Sequence, residues 1–475
     1  MAEPVYTFEV ELSANSLTQL QSLCTKASYS RALFDPFTPL NADEGIFELL
    51  NDVGSLSPLL NTGLLIGRKV AFSATYGGSS YNLYSGRIKS LSTRPILGER
   101  TTVIEALSDV DRLFKTQIDT GIFVKIGANS LFTEIMSLSS VASFTADSDN
   151  FDVVPFAWYR DRDGASAVEQ LVRSGFYQFY GDGAGTMILK SRYFGTFATS
   201  VDTVDVQAHD LNYSISDTGV VNLAHTKATP RIQTSNVATL AYLPSPVALP
   251  ASGHVGFFVS FLDPRDFQSS VPVGSIETLV SSQDFYAAQN SDGTGTNFTS
   301  ALSLNLAVFG ASLVCSIFNA NSAEVFLSRF QVRGYPLLAG TELAVKIDDS
   351  SSQALYGARE VNFEDNLFTN YSYLRDLAST IVGDRKEPRD QFDVVMSNEF
   401  PQVLQYQVGD ILSLINSQTG VNSTWSIRGL HHEVSLSRGL EHVATFKTNR
   451  FSPRPWLVLD HPTYGKLDSG RQLAL

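Results

Sequence analysis

The feature of the sequence that most constrains the fold is an opening that occurs twice. Residues 66–73 read IGRKVAFS and residues 408–415 read VGDILSLI, so in both an apolar residue, a glycine and a charged residue precede a strand-like run. A turn, a second strand, another turn and a third strand follow each opening. The glycine that opens the third strand lies at similar offsets, 98 − 67 = 31 for Gly98 and 439 − 409 = 30 for Gly439. Because internal similarity governs the whole fold, we predict two similar units in one chain, although unrelated three-strand meanders also resemble one another.

Composition sets the fold class. The 475 residues allow two to four domains at about 100–200 residues each. The chain is 43% hydrophobic, 17% charged and 11% aromatic, and it is rich in small polar residues. This mixture favours strands, because aromatic and β-branched side chains suit a pleated, half-buried surface.

Charge argues against direct binding of duplex DNA. The net charge is −14 and the pI is about 5.0, and no cluster of Lys and Arg is present to neutralise phosphates. An acidic wall can still surround DNA without holding it, because it repels the DNA.

The remaining bulk features predict a chain made in the cytosol. Cys24 and Cys315 are too few for a disulfide scaffold, and we expect two small buried side chains. The N-terminus MAEPVYTFEVEL lacks a signal-peptide pattern, and no apolar run is long enough to cross a membrane.

We predict a mainly β fold with some α (α+β): two similar β-barrel tube-like domains, a small α+β domain and an inserted all-β domain. The predicted ranges are 1–117 for the first barrel, 118–204 for the α+β domain, 205–248 plus 334–450 for the second barrel, 249–333 for the insert and 451–475 for a C-terminal tail.

Helical periodicity predicts three helices, and residues 27–60 read as irregular connections. The first covers 129–141, with Asn129 or Ser130 as N-cap. The second begins near Ser166, where Ser166 and Glu169 fit a capping box and Gly175 fits the C′ position. The third covers 370–383, from an Asn370 cap to Gly383.

Sites for chemistry are not evident. The segment GDGAG at 181–185 lies between strand-like runs, which predicts a hairpin turn rather than a phosphate loop. DRDG at 161–164 has its glycine too early for a calcium loop. His431, His432 and His442 with Glu433 and Glu441 could supply zinc ligands, but neighbours on a strand point to opposite faces. We therefore expect no catalytic, cofactor-binding or metal-binding residues.

Several segments together resemble one protein family. ELLNDVGSLSPL with GRKVAF, LYSGRIKSL and VIEALSDVDRLF is similar to a first barrel, and ASAVEQLVRSGFYQFYGDGAGTMILKSRYF to a small second domain. VVNLAHTKATPR and FQVRGYPL are similar to the flanks of an insert. VLQYQVGDILSLI, WSIRGLHHEV and GLEHVATFKT are similar to a second barrel, and WLVLDHPTYGKLDSGRQLAL to a C-terminal tail. The family is the tail-hub (baseplate-hub) proteins of tailed bacteriophages.

The resemblance implies a structural protein of the virion tail tip, made in the host cytoplasm. It implies a homotrimer whose two barrels per chain form a pseudo-six-fold ring around the DNA channel. The implied partners are the six-fold tail tube or distal tail protein, the C-terminus of the tape-measure protein, and three-fold tip or fibre proteins. DNA would pass through without specific binding, the host membrane would be met only indirectly, and we expect the insert to lie outside the ring.

Two alternatives stay open at this point. One is a cell-wall or glycan-cleaving enzyme on a β scaffold, because the spacing of two glycosidase carboxylates is spatial and not visible in sequence. The other is a receptor-binding or carbohydrate-binding tail protein, because the apolar strands of the insert could face a partner as well as a core.

Overall fold

The structure is a computed structural model. It describes residues 3–13, 16–20, 23–52, 54–57, 63–96, 99–146, 152–191, 200, 202–205, 210–364, 366–416, 420–437, 439–450, 456–457 and 472–473. The predicted tail 451–475 lies outside the described residues, except for two short paired segments, and so does Gly98.

Strands dominate the described chain, which confirms the mainly β, α+β fold class. The strands of the first half are β1 (Val5–Ser13), β2 (Ser16–Gln19), β3 (Cys24–Ala32), β4 (Glu44–Leu50), β5 (Lys69–Tyr76), β6 (Ser79–Ile96), β7 (Glu99–Leu107), β8 (Gln117–Ile118), β9 (Phe123–Gly127), β10 (Phe144–Ala146), β11 (Val153–Ala157), β12 (Arg162–Asp163), β13 (Gln178–Gly181), β14 (Met187–Lys190), β15 (Asp202–Asp205), β16 (Asp210–Ser216) and β17 (Leu223–Ala228). Those of the second half are β18 (Arg231–Gln233), β19 (Ala238–Tyr242), β20 (Val247–Leu249), β21 (His254–Ser260), β22 (Val273–Ile276), β23 (Phe285–Ala288), β24 (Leu302–Phe309), β25 (Ser312–Asn319), β26 (Val325–Ala339), β27 (Leu343–Asp348), β28 (Glu360–Phe363), β29 (Arg389–Ser397), β30 (Ile411–Asn416), β31 (Val421–Ser435), β32 (Glu441–Arg450), β33 (Trp456–Leu457) and β34 (Gln472–Leu473).

The helices are few and short. They are α1 (Val110–Lys115), α2 (Ala128–Leu138), α3 (Gly164–Gly175), α4 (Ser350–Tyr356), α5 (Tyr371–Arg385) and α6 (Gln402–Gln405). All three predicted helices are present as α2, α3 and α5. The Asn370 cap is confirmed, because its side chain accepts a hydrogen bond from the Ser372 amide.

Three predicted helix caps are wrong, and α5 continues to Arg385, past its predicted end at Gly383. The N-cap of α3 is Asp163 rather than Ser166, since the Asp163 carboxylate accepts from the Ser166 amide. The left-handed residue that ends α3 is Phe176, at φ 56°, one residue beyond Gly175. The N-cap of α2 is Gly127, in extended conformation, rather than Asn129 or Ser130.

One large sheet contains both predicted meanders. It has 13 strands, in the order β16-β29-β32-β31-β3-β4-β7-β6-β5-β1-β2, with β30 beside β31 and β15 beside β30. The order does not close on itself among the described strands, so the two expected barrels appear as two halves of one sheet. Strand β3 joins the halves, because it pairs with β4 on one side and with β31 on the other.

The similarity of the halves extends beyond the predicted meanders. The first half has the pairing β4-β7-β6-β5, and the second has β29-β32-β31-β30. In each half the strand that precedes the meander pairs with the last strand of the meander. We call each set of four strands a four-strand unit.

The two quoted openings adopt the same backbone geometry. Gly67 and Gly409 both have positive φ, 86° and 90°. The amide of Gly67 donates to the carbonyl of Ile88 at 2.8 Å, and the amide of Gly409 donates to the carbonyl of Ile427 at 2.9 Å. The amides of Ile88 and Ile427 donate in turn to the carbonyl of the residue after each glycine, which is Arg68 in the first case and Asp410 in the second.

The units also share a bulge. The register of β6 against β7 shifts between Ile88 and Ser90, and that of β31 against β32 shifts between Ile427 and Gly429. A bulge bends its strand and increases the local twist, so both units curve at the same place. Matching glycines, hydrogen bonds and bulges make chance resemblance a poor explanation.

The packing divides the described chain into four cores. Both four-strand units share the largest core, which holds Phe47, Phe72, Phe392 and Phe446 among others. A second core lies around α2 and α3, a third between the sheets of the insert, and a fourth between α5 and the sheet β27-β17-β28. The exact domain limits remain predictions.

The prediction for residues 27–60 is wrong, because they contain most of β3 and all of β4 rather than only irregular connections. The buried positions of β3 alternate and include Ala27, Tyr29 and Arg31. An arginine and an alanine at inward positions conceal the apolar alternation that identifies a half-buried strand.

Candidate assembly interface

Along its main path the large sheet ends on β2 and β16, and β15 beside β30 forms a third end among the described strands. Strand β2 pairs only with β1 among the described strands, and all four of its residues are exposed. Strand β16 pairs only with β29, and residues 212–216 of it are exposed. Unpaired edges present rows of backbone N–H and C=O groups that another chain can use.

Both edges also expose apolar side chains. Tyr213 is 49% and Ile215 59% exposed on one face of β16, and Leu17 on β2 is 41% exposed. Residues two apart on a strand share a face, so Tyr213 and Ile215 form a small apolar strip along the edge. Such a strip suits contact with a protein surface.

The face of the sheet that points away from the core is rich in carboxylates, and it also exposes Ile46 and Leu50. Its charged side chains around the junction of the two units are Glu44, Glu48, Glu105, Glu433, Glu441, Lys26 and Lys447. Because carboxylates outnumber lysines there, this face repels polyanions rather than binding them.

Buried polar side chains join the two halves of the sheet from within. The Tyr6 hydroxyl on β1 lies 2.7 Å from Nδ1 of His442 on β32. Nε2 of His442 lies 2.8 Å from Nδ1 of His432 on β31, and His432 stacks on Tyr29 of β3 with ring centroids 4.6 Å apart. We call these four residues the aromatic seam.

The aromatic seam holds its histidines neutral. Burial lowers the pKa of His432 well below its usual range, and the neighbouring His442 and Arg31 act in the same direction. Burial also lowers the pKa of His442 to about 3. Neutral imidazoles can share a hydrogen bond as donor and acceptor, whereas two imidazolium ions would repel each other.

A second buried junction lies around Arg31, which is 4% exposed. Its guanidinium donates to the side chain of Gln407 at 2.6 Å, and the neighbouring Ala32 amide donates to Asp43 at 3.1 Å. Burial raises the pKa of Asp43 to about 7, while Arg31 opposes that shift. Burial also raises the pKa of Asp410, whose carboxylate accepts the Gln407 amide at 2.8 Å.

The predicted histidine set is split by the sheet. His432 and His442 are buried together, whereas His431 is half-buried beside Ser30 and Glu433 on the opposite face. Within the described residues, no three side chains from His, Cys, Asp and Glu group together as metal ligands. The opposite orientation of His431 and His432 follows from strand alternation.

The other sequence motifs have structural roles. GDGAG is the turn between β13 and β14, closed by a hydrogen bond from the Asp182 amide to the Thr186 carbonyl at 3.0 Å. Asp163 of DRDG caps α3. Cys24 and Cys315 are free and buried, and burial raises the pKa of each thiol to about 12.

Sequence reasoning missed Tyr6, Tyr29, Arg31 and Asp43. The partners of Tyr6, Tyr29 and Arg31 lie more than three hundred residues away in the chain, and no local signal marks any of the four. Among the described residues, no helix is long and apolar enough to cross a membrane.

The fold is shared with solved tail proteins. The tail protein from Neisseria meningitidis MC58 matches with a TM-score of 0.52 and 9% identity, over 94% of this chain and 98% of that chain. The 43 kDa tail protein of prophage MuSo2 from Shewanella oneidensis matches with a TM-score of 0.50 and 9% identity, also over 94% and 98%. No protein-family model matches the chain, and no curated protein matches it by sequence. Nearly the whole chain therefore has the fold of phage-type tail proteins.

Proposed function

We propose that this chain is the hub of a phage tail tip, a structural protein that forms a trimeric ring. The observation that carries the proposal is one sheet that contains the same four-strand unit twice and leaves the edges of β16 and β2 free among the described strands. The shared fold with tail proteins supports the choice of a tail component. We assign it no catalytic activity.

Three copies of a chain with two similar units present six similar units around one axis. Such a ring meets a six-fold partner on one side and a three-fold partner on the other. Closed rotational symmetry is the common arrangement of soluble oligomers. The six-fold partner is the tail tube or distal tail protein, and the three-fold partners are tip or fibre proteins.

The free edges give the ring a way to close. Strand β16 of one copy would lie against β1 and β2 of the next, so that the contact is head to tail and repeats around the axis. Strand addition supplies backbone hydrogen bonds, and the exposed Tyr213 and Ile215 supply apolar contact.

The carboxylate-rich face would line the channel. The negative surface keeps DNA from adhering while it passes. Before infection, the channel holds the end of the tape-measure protein. Location in the virion tail and synthesis in the host cytoplasm follow from this role.

The test is the copy number and position of the chain in purified virions. Quantitative mass spectrometry, with the tube protein as the reference, should find half as many copies of this chain per tail as there are subunits in one ring of the six-fold tube. Gold-labelled antibody to the insert should mark the tail tip. Absence from virions, or a copy number equal to that of the repeating tube, would overturn the proposal.

A further inference from the structure

One strand of the insert has an edge that nothing in the described chain covers. Strand β24 is the last strand of the sheet β21-β25-β24. Among the described strands it pairs only with β25, in eight consecutive pairs without a register shift. It is therefore long, regular and open along its other side.

The backbone of β24 presents a defined set of hydrogen-bonding groups outward. The turn Gly310–Ala311 closes on the pair Phe309 and Ser312, so the hydrogen-bonded pairs fall on every second residue from Phe309. The N–H and C=O groups of Leu304, Leu306 and Val308 then point away from β25. This spacing matches that of an added strand.

The side chains at this edge are only partly covered. Leu304 and Leu306 face the core of the insert but are half-buried, whereas Leu313 and Ile317 on the central strand are fully buried. On the other face, Ala307 is exposed and Phe309 is 54% exposed. A neighbouring strand would cover apolar atoms on both faces at once.

The usual protections of an edge are missing from β24. Proteins blunt edges with short strands, charges, prolines or bulges. The opposite outer strand of the same sheet, β21, has seven residues and is interrupted by Gly256, and the outer strands β22 and β23 of the insert have only four residues each. Strand β24 has eight residues, LSLNLAVF, with no charge, proline or glycine.

We propose that β24 is a docking edge for an extended segment of a different protein, which adds a strand to the insert. The segment is uncharged along its length and apolar at alternating positions, because no charged side chain lies on β21, β25 or β24 to pair with it. A second copy of this chain is not the occupant. A contact between the β24 strands of two copies has two-fold symmetry, which a three-fold ring does not contain. In this one respect the inference rests on the proposed function.

The test uses hydrogen exchange of the full chain, measured over residues 302–309 with and without a peptide probe. The probe is a synthetic peptide with the sequence of residues 312–319, Ser in place of Cys315, and a terminal Lys at each end. Strand β25 already matches both faces of β24, so this peptide can pair along the open edge. The control is the same peptide with alternate backbone amides methylated, which removes donors without changing side chains.

The expected result is slow exchange over 302–309 with the probe and no slowing with the methylated peptide. Ala307→Lys together with Phe309→Lys should abolish the slowing. Ser260→Lys together with Phe258→Lys, on the far strand of the same sheet, should leave it intact. No slowing over 302–309, or equal slowing with both peptides, would overturn the proposal.

Hydrogen exchange of the chain without any peptide provides a further test. The outward amides at Leu304, Leu306 and Val308 should exchange faster than the paired amides of Asn305 and Ala307. If they are already protected in a concentration-dependent way, the occupant is a second copy and the proposal is wrong. None of these outcomes depends on whether the chain is found at the tail tip, so this proposal and the hub proposal fail separately.

Discussion

The hydroxyl of Tyr6 lies 2.7 Å from Nδ1 of His442, although 436 residues separate them in the chain. The contact crosses the shared core and links the first strand of the sheet to the second four-strand unit. It shows that the two halves are built as one body, which a ring of fixed geometry requires.

Removing that hydroxyl should weaken the whole sheet. Tyr6→Phe keeps the ring in place but leaves the buried Nδ1 of His442 without its partner, so we expect a loss of about 1–3 kcal/mol in the free energy of unfolding. Tyr371→Phe is the matched control, because Tyr371 is 55% exposed, and it should change stability little. Urea denaturation measures both, and equal stability of the two variants would contradict a structural role for the aromatic seam.

The aromatic seam should make the protein sensitive to acid. The folded state keeps His432 and His442 neutral, with the pKa of His442 lowered to about 3, whereas the unfolded chain takes up protons below about pH 6.5. Stability is therefore lost as pH falls from about 6.5 towards 3, by up to about 1.4 kcal/mol per pH unit for each histidine. Asp43, with a pKa raised to about 7, acts in the opposite direction over its own range, from about 7 down to about 3.9, and reduces the net slope.

The control is a variant in which neither position titrates. His432→Gln with His442→Gln should be less stable than the natural protein at neutral pH but should lose less stability on acidification. If the free energy of unfolding falls equally with decreasing pH in the two proteins, the histidines do not cause the pH dependence.

The two equivalent glycines should differ in their tolerance of a side chain. Both have positive φ, so alanine strains the backbone at either position. A Cβ at Gly67 meets nothing within 4 Å, whereas one at Gly409 would lie 3.0 Å from the Tyr180 hydroxyl. We expect losses of about 1 kcal/mol for Gly67→Ala and about 2–4 kcal/mol for Gly409→Ala in urea denaturation. Equal losses would mean that the contact with Tyr180 relaxes freely.

The insert depends on one buried ion pair. Arg333 binds both carboxylate oxygens of Asp284, at 2.6 and 2.9 Å, and Asp284 is fully buried. Arg333→Ala removes the cationic partner of that carboxylate and leaves only the Gln331 side chain and the Val280 amide as donors, so we expect faster hydrogen exchange in β26. Arg265→Ala is the control: it removes a partner of Asp263 that is 58% exposed, and it should leave hydrogen exchange in β26 nearly unchanged.

The edge of β16 should matter for assembly rather than for folding. Ile215→Lys places a charge on the proposed contact between copies, so trimers should be lost while the monomer keeps its melting temperature. Ile232→Lys is the matched control, because Ile232 and Ile215 are both 59% exposed and Ile232 lies on β18, in a different sheet. Sedimentation of the two variants decides the matter, and equal association would exclude the β16 edge.

The sequence predicted those parts of the fold that local patterns specify. The similar offsets from Gly67 and Gly409 to the third strand of each meander revealed the duplication. Apolar periodicity located all three predicted helices. The missed strand β3 illustrates the limit, because Arg31 points inward and breaks the apolar alternation. The aromatic seam was equally hidden, since it depends on the pairing of β3 with β31, which lie about four hundred residues apart and share no local signal.

The most direct test of the account is an image of the tail tip by cryo-electron microscopy, viewed along the tail axis. The account predicts a three-fold ring with a central hole, in which six similar β units alternate between the first and second halves of the chain and β16 of each copy lies beside β2 of the next. A single copy at the tip, or a ring in which only one unit per chain surrounds the channel, would contradict it.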